Sequence, residues 1–399
     1  MDDILREAIH LRSRALAVDL EPLLAPSWHW QGVLSRFHHA AFASVADASE
    51  LVRYATANNG FVIYRKTDSA LARPVLAHYL TWLKAHGRDL DNLPAGLEES
   101  SHASPDTVFQ HDDRRISASF LWHLCAAVRL LENLPPPASV LEIGPGFGGL
   151  ARVLRGLTPA SRFVLVDLPD SLAFTYVYLR LHFPEARVAF VTSPAESLAR
   201  LRQEADFVLL PSNLLTLLRG EAFDLALNIA SWGEMSQTSV DRYLTFLEQE
   251  VAVAHLYSIN QYGQHPPEEA SGRGRRLVGG DVCRCALPVG PDWRILHWDF
   301  WGEDSFVHAD PLMAPCLEVL LRRAAEDERT AEAITALARQ RFDEAAHHPQ
   351  GSPSWHRALW DAARLDPSGE AGTLLRRWAN EQGYPESNIR LHCASLGNE

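Results

Sequence analysis

Glu142, Gly144, Gly146, Gly148 and Gly149 stand within one short stretch of this chain, and their types and spacing point to ligand chemistry. The apolar run Val140 to Ile143 leads in, and the helix-compatible run Leu150 to Leu157 leads out. A strand followed by such a turn presents a small polar ligand to a helix N-terminus. Glycine lets the backbone turn tightly and approach the ligand with no Cβ in the way, and the free N–H groups of the helix start attract polar and anionic ligand groups. Gly144, Gly146 and Gly149 also satisfy the G-x-G-x-x-G spacing of dinucleotide sites. In those sites the strand runs apolar into the first glycine, because a pyrophosphate follows. Glu142 would repel a pyrophosphate and suits a cation. S-adenosyl-L-methionine carries an α-ammonium and a sulfonium, so the loop reads as a methyl-donor site. NAD or FAD is the alternative, and a turn with no ligand is the third reading.

A second acid follows about twenty residues on, where a carboxylate can take both hydroxyls of a ribose. This is Asp167, at the end of the apolar run Phe163 to Val166 and next to Leu168. Asp170 reads as the cap of the helix that follows. A third apolar run, Phe223 to Ala230, ends in a polar cluster that includes Asn228 and Ser231. Ser212 and Asn213 follow another run, Asp206 to Leu210, on the side where an adenine would lie. The cofactor set expected is therefore Glu142, Gly144, Gly146, Gly148, Asp167, Leu168, Ser212, Asn213, Asn228 and Ser231.

These residues need a scaffold. The chain alternates strand and helix over 139–144, 148–157, 162–168, 170–182, 206–212, 214–219, 223–230, 237–250 and 255–262. That rhythm predicts an α/β fold, a parallel sheet with helices on both faces. The third strand has two candidates, Val188 to Thr192 and Asp206 to Leu210; the second is preferred, with the first as an inserted strand. Residues 277–287 and 292–300 supply the last strands. Helices are expected over 2–18, from Asp68 to Gly87 and from Ser117 to Leu134, where Pro135-Pro136-Pro137 stops the last. Residues 303–399 read as helical and charged, serving packing or a homodimer contact. The expected division is a helical region 1–115, a cofactor-binding domain 116–302 and a helical region 303–399.

The motifs L-E-I-G-P-G-F-G-G-L-A-R-V-L, V-L-V-D-L-P-D-S-L-A, F-D-L-A-L-N-I-A-S-W-G-E-M and L-Y-S-I-N-Q-Y together resemble the sugar O-methyltransferase family of bacteria. That family is a branch of the class I methyltransferases dependent on S-adenosylmethionine. The resemblance covers roughly residues 105–300. It implies a Rossmann-like sheet, methyl transfer from S-adenosyl-L-methionine, and a sugar or sugar-bearing natural product as acceptor. The family's usual Gly-Gly-Tyr in the turn is replaced here around Pro145 and Phe147.

Methyl transfer is an in-line displacement that needs alignment and, for a hydroxyl acceptor, a base. Glu234, after the third of these runs, and His265, in the loop after the strand at 255–262, are the catalytic candidates. Asn260 and Tyr262 could hydrogen-bond acceptor hydroxyls. His297 and Asp299 alternate with Trp298 and read as a satisfied sheet pair. His111-Asp112-Asp113 reads as a solvated turn, and no metal is expected. An aminosugar nitrogen is the alternative acceptor.

Composition bounds the rest. The net charge of −13 argues against a nucleic-acid partner. No apolar run approaches a membrane span. Five cysteines, including the pair Cys283 and Cys285, are too sparse for a disulfide framework, which fits a reducing cytoplasm.

Overall fold

The computed structural model describes residues 2–19, 24–57, 67–68, 72–261, 289–301, 316–350 and 352–381. His265, Tyr262, the strand expected over 277–287, and Cys283 and Cys285 lie outside the described residues.

A short hairpin, β1 (Phe109–His111) and β2 (Arg114–Ile116), precedes the main sheet. That sheet holds β3 (Ser139–Ile143), β4 (Arg162–Asp167), β5 (Val188–Phe190), β6 (Phe207–Pro211), β7 (Ala222–Ile229), β8 (Ala252–Gln261), β9 (Trp293–Trp301) and β10 (Cys316–Arg323). Their spatial order is β5-β6-β4-β3-β7-β8-β10-β9. Neighbours from β5 to β8 are parallel, and β10 is antiparallel to both β8 and β9. The chain steps outward from β3 to β4 and β6, then returns to lay β7 on the other side of β3. A crevice opens beyond the carboxyl ends of β3 and β7, at this switch point.

Helices cover both faces, as a sheet with apolar residues on both sides requires. Alternate residues of each strand face opposite ways. Val140, Phe163, Leu165, Phe207 and Leu209 join one core; Leu141, Val164, Val166, Val208 and Leu210 join the other. Over the first face lie α1 (Asp3–Leu16), α4 (Ala48–Thr56), α5 (Ala72–Ala85), α6 (Ala118–Asn133), α7 (Gly149–Leu157) and α8 (Pro169–His182). The short helices α2 (Trp28–Val33) and α3 (His39–Ser44) connect α1 to α4. Over the second face lie α9 (Leu198–Glu204), α10 (Gln237–Gln249) and α12 (Pro353–Leu365), with α11 (Ala331–Ala345) and α13 (Glu370–Glu381) packed beside α12. The fold is thus the α/β, Rossmann-like sheet expected, with helical additions at both ends. Among the described residues no helix is long and apolar enough to cross a membrane.

One local reading is settled and three change. β5 and β6 both exist, and β6 is the one beside β4, so the preferred third strand is correct and β5 is the edge addition. The helix expected over 214–219 is a 3-10 run, Ser212–Leu218, rather than an α-helix. Asp170 is not a cap: Pro169 opens α8 from Leu168, and Asp170 accepts from Arg12 of α1 at 2.8 Å instead. Finally, β10 falls in the stretch read as helical, and it inserts between β8 and β9. Leu317, Leu320, Leu321 and Ala324 have helical spacing, and a short apolar run of that kind cannot be assigned by periodicity alone.

Candidate active site

The turn after β3 has the backbone its glycines make possible. Gly144, Gly146 and Gly148 take φ of 75°, 59° and 93°. A Cβ on Gly144 would lie 2.0 Å from Ser231 Oγ, so the turns after β3 and β7 touch at this point. Gly149 opens α7, and a Cβ there would lie 2.5 Å from His123 Cε1, which brings α6 against the same turn. The Gly146 N–H donates to Asp167 Oδ2 at 3.1 Å, and the Leu168 N–H donates to Oδ1 at 2.7 Å. The end of β4 is thereby fixed to the turn after β3. Ala230, at the end of β7, has φ of 53°, a strained value for a residue with a Cβ.

These elements enclose one cavity of about 960 Å3, its open mouth included. Glu142, Gly144, Gly146, Asp167, Leu168, Ser231 and Glu234 line it. Three carboxylates therefore share it, and among the described residues no lysine or arginine does. Burial pushes Glu142 up to about 8, and Asp167 nearby adds to the rise. Burial pushes Asp167 up to about 7, although the Leu168 and Gly146 N–H groups oppose this. Burial likewise raises Glu234 to about 7, against a hydrogen bond from the Trp30 side chain. Glu142 Oε2 is buried with no hydrogen-bond partner. A buried carboxylate oxygen in that state is costly unless something arrives to pair with it.

The other expected residues are placed differently. Asn228 is buried behind the cavity wall; its Nδ2 donates to Ile143 O at 2.7 Å, and its Oδ1 accepts from the Trp232 N–H at 3.1 Å. Asn260 joins it, its Nδ2 donating to Asn228 Oδ1 at 2.9 Å. This pair clasps the ends of β3, β7 and β8. Asn213 donates to the carbonyls of Ala15 and Val18 at 2.9 and 2.7 Å, tying the end of α1 down. Neither Ser212, Asn213, Asn228 nor Gly148 lines the cavity.

Several lining residues had no sequence signal tied to the turn. Trp122 and His123 reach the cavity from α6, and burial, with Arg152 nearby, lowers His123 to about 3, so its imidazole is neutral. The segment Leu24 to Ser27 and Trp30 form another wall. Ser27 Oγ donates to the Glu234 carbonyl at 2.6 Å, which anchors that wall next to the third carboxylate. Met235, Ser239 and Tyr243 complete the rim on the α10 side.

No family model matches this chain, and no curated protein does. Solved structures share part of the fold. Magnesium protoporphyrin IX methyltransferase from Synechocystis PCC 6803 with bound SAH is 10% identical, covers 51% of this chain and 82% of its own, and has a TM-score of 0.34. The N-terminal domain of EvdMO1 in the presence of SAH and D-fucose is 14% identical, covers 63% and 97%, and has a TM-score of 0.33. The pyocyanin biosynthetic protein PhzM is 16% identical, covers 52% and 56%, and has a TM-score of 0.32. Similarity at this level adds nothing to what the sheet and the cavity themselves show.

Proposed function

We propose that this protein is a methyltransferase that uses S-adenosyl-L-methionine and acts on a hydroxyl of a sugar or sugar-containing natural product. The observation that carries the reading is the cavity's charge: three carboxylates and, among the described residues, no lysine or arginine. A pyrophosphate would meet repulsion from all three, so the dinucleotide alternative is disfavoured. A cationic donor would relieve the burial of Glu142. In this reading Glu142 faces the donor's positive groups, and Asp167, held by two backbone N–H groups, accepts from ribose hydroxyls. When bound, S-adenosyl-L-methionine supplies an electrophilic methyl group.

The chain's own residues supply positioning and a base. Trp122, Phe147 and Trp30 form apolar walls that exclude water and offer ring faces to a sugar. Glu234, raised to about 7, is divided between its acid and base forms near neutrality, as a general base should be. It takes the proton of the acceptor hydroxyl. The same carboxylate favours a second reading, an aminosugar whose ammonium pairs with Glu234 before losing its proton.

Isothermal titration of the full chain with S-adenosylhomocysteine, and separately with NADH, tests the cofactor. Micromolar binding of the first and none of the second is expected, with Asp167→Ala weakening the first by about ten- to a hundredfold. Binding of NADH alone overturns the reading. Turnover with neutral sugars against aminosugars then separates the two acceptor classes.

A further inference from the structure

A second cluster of chemistry-bearing side chains lies away from the cavity, on the outer strands beneath α6. Glu318 of β10 is fully buried. Its Oε1 accepts from the Tyr257 hydroxyl at 2.5 Å, while Oε2 has no hydrogen-bond partner. His297 Nε2, on β9, stands 3.7 Å from Glu318 Oε2 and is also buried with no hydrogen-bond partner. Asp299 lies two residues along β9 and directly opposite Glu318 in register. One ligand atom from each of the three falls within 4.8 Å of the others.

We propose that His297, Asp299 and Glu318 form a divalent-cation site of the zinc type that ties β9 to β10. Mixed imidazole and carboxylate donors suit a borderline cation such as Zn2+. Ligand atoms in a tetrahedral zinc site are about 3.3 Å apart, from bonds of roughly 2.0 to 2.1 Å. The His297–Glu318 pair is close to that spacing already. Asp299, with 47% of its side chain exposed, brings a carboxylate oxygen within 4.8 Å of both other ligand atoms. The Tyr257 hydroxyl does what an outer partner of a metal ligand does: it occupies one carboxylate oxygen and aims the other. The open side, toward Asp299, leaves the fourth position for water.

Arg129 of α6 is the charge that could compete. It stands 3.6 Å from Asp299 and 3.7 Å from Glu318, beyond hydrogen-bond length, and its guanidinium lies 4.9 Å from the Trp82 ring centroid. One guanidinium balances one of two carboxylates. With a neutral imidazole the set keeps one negative charge, so a divalent ion is still attracted. The site lies apart from the methyl-transfer cavity, and its test is independent of that reading.

The full chain would be stripped with a chelator, dialysed, and titrated with Zn2+ alone by calorimetry, with metal content read by elemental mass spectrometry. One equivalent is expected to bind, with a rise in melting temperature as for any ligand of the folded state. His297→Gln and Asp299→Asn should each weaken binding by at least about tenfold, and Glu318→Gln should abolish it. If Glu318→Gln unfolds by circular dichroism, the two β9 variants decide. No uptake by the wild-type chain overturns the proposal and assigns the cluster to a buried water. Uptake that all three variants leave unchanged overturns it too, placing the ion elsewhere in the chain.

Discussion

The two ends of the sheet treat acidic residues in opposite ways. At the amino ends of the strands three acids are held by arginines. Asp206, before β6, is 2.7 Å from Arg155; Glu221, before β7, pairs with Arg202; Glu250, before β8, meets Arg219 at 2.5 Å and Arg242 at 2.8 Å. Glu250 is held below its ordinary value even though burial opposes this, because both arginines bond to it. At the carboxyl ends Glu142, Asp167 and Glu234 share a cavity with no lysine or arginine among its described lining, and all three are pushed up. Arginine is plentiful in the chain, and Arg12 pairs with Asp170 just beyond β4, so its absence from the described lining is a property of the cavity. Acids paired within the fold serve stability. Acids left to face a cavity serve, in the proposed reading, a ligand that brings its own charge.

The largest effect should fall on rate. Glu234→Gln removes the proposed base and should lower kcat by about a hundred- to ten-thousandfold on a hydroxyl acceptor. For the unmodified chain kcat should climb as pH rises through about 7, where Glu234 gives up its proton, and then level off. Asp206→Asn, at the other end, should leave that profile in place. A Glu234→Gln variant with a full rate and the same pH profile would remove Glu234 from the chemistry.

A smaller effect separates affinity from stability. Glu142→Gln should weaken S-adenosylhomocysteine binding by about ten- to a hundredfold without lowering the melting temperature, because near pH 7 burial already keeps the ligand-free carboxyl protonated and the amide replaces one neutral group with another. Asp206→Asn should do the reverse. It breaks a half-buried pair with Arg155 worth about 1 kcal/mol or less, a shift of roughly 1–2 °C in a chain of this size, and leaves affinity alone. Calorimetry and a thermal melt on both variants read the contrast. Equal losses of stability in the two would erase the distinction between the ends.

How far this was legible in the sequence follows the range of the forces involved. The turn after β3 and the end of β4 could be read directly, since positive φ demands glycine locally and an acid after an apolar run stands out. Glu234 and Ser231 followed from their place at a strand end. Asn228 and Asn213 have the residue type of a ligand contact, but the fold uses their amides to satisfy backbone carbonyls of Ile143, Ala15 and Val18. Which partner an amide takes depends on segments far off in the chain. Trp122, His123 and the Leu24 to Trp30 wall were silent for the same reason: only the packing of α2 and α6 brings them to the cavity. β10 lay inside a stretch read as helical and charged, and only pairing with β8 and β9 settles it as a strand.

The smallest predicted effect is also the most direct reading of the contrast between the ends. Glu142, Asp167 and Glu234 keep their protons to higher pH in the fold than in the unfolded chain. The folded state therefore binds more protons than the unfolded one up to about pH 8, and by linkage these groups make stability fall as pH rises. The buried histidines His38, His123 and His182 act the other way. They are lowered by burial, so the unfolded chain binds their protons first, and their contribution grows with pH only until about 6.5, the ordinary histidine value. Glu250, lowered, contributes fully above the ordinary carboxylate range and is lost only in acid. Between pH 6.5 and 8 the three cavity carboxylates are, among the described residues, the ones pushed into that window. The ligand-free chain should therefore lose stability across that window in denaturant melts, and saturating S-adenosylhomocysteine, whose ammonium the proposed reading sets beside the ionised carboxylates, should flatten the decline. A ligand-free chain as stable at pH 8 as at 6.5 would mean that the cavity acids are already compensated within the fold, and that the two ends of the sheet are not different after all.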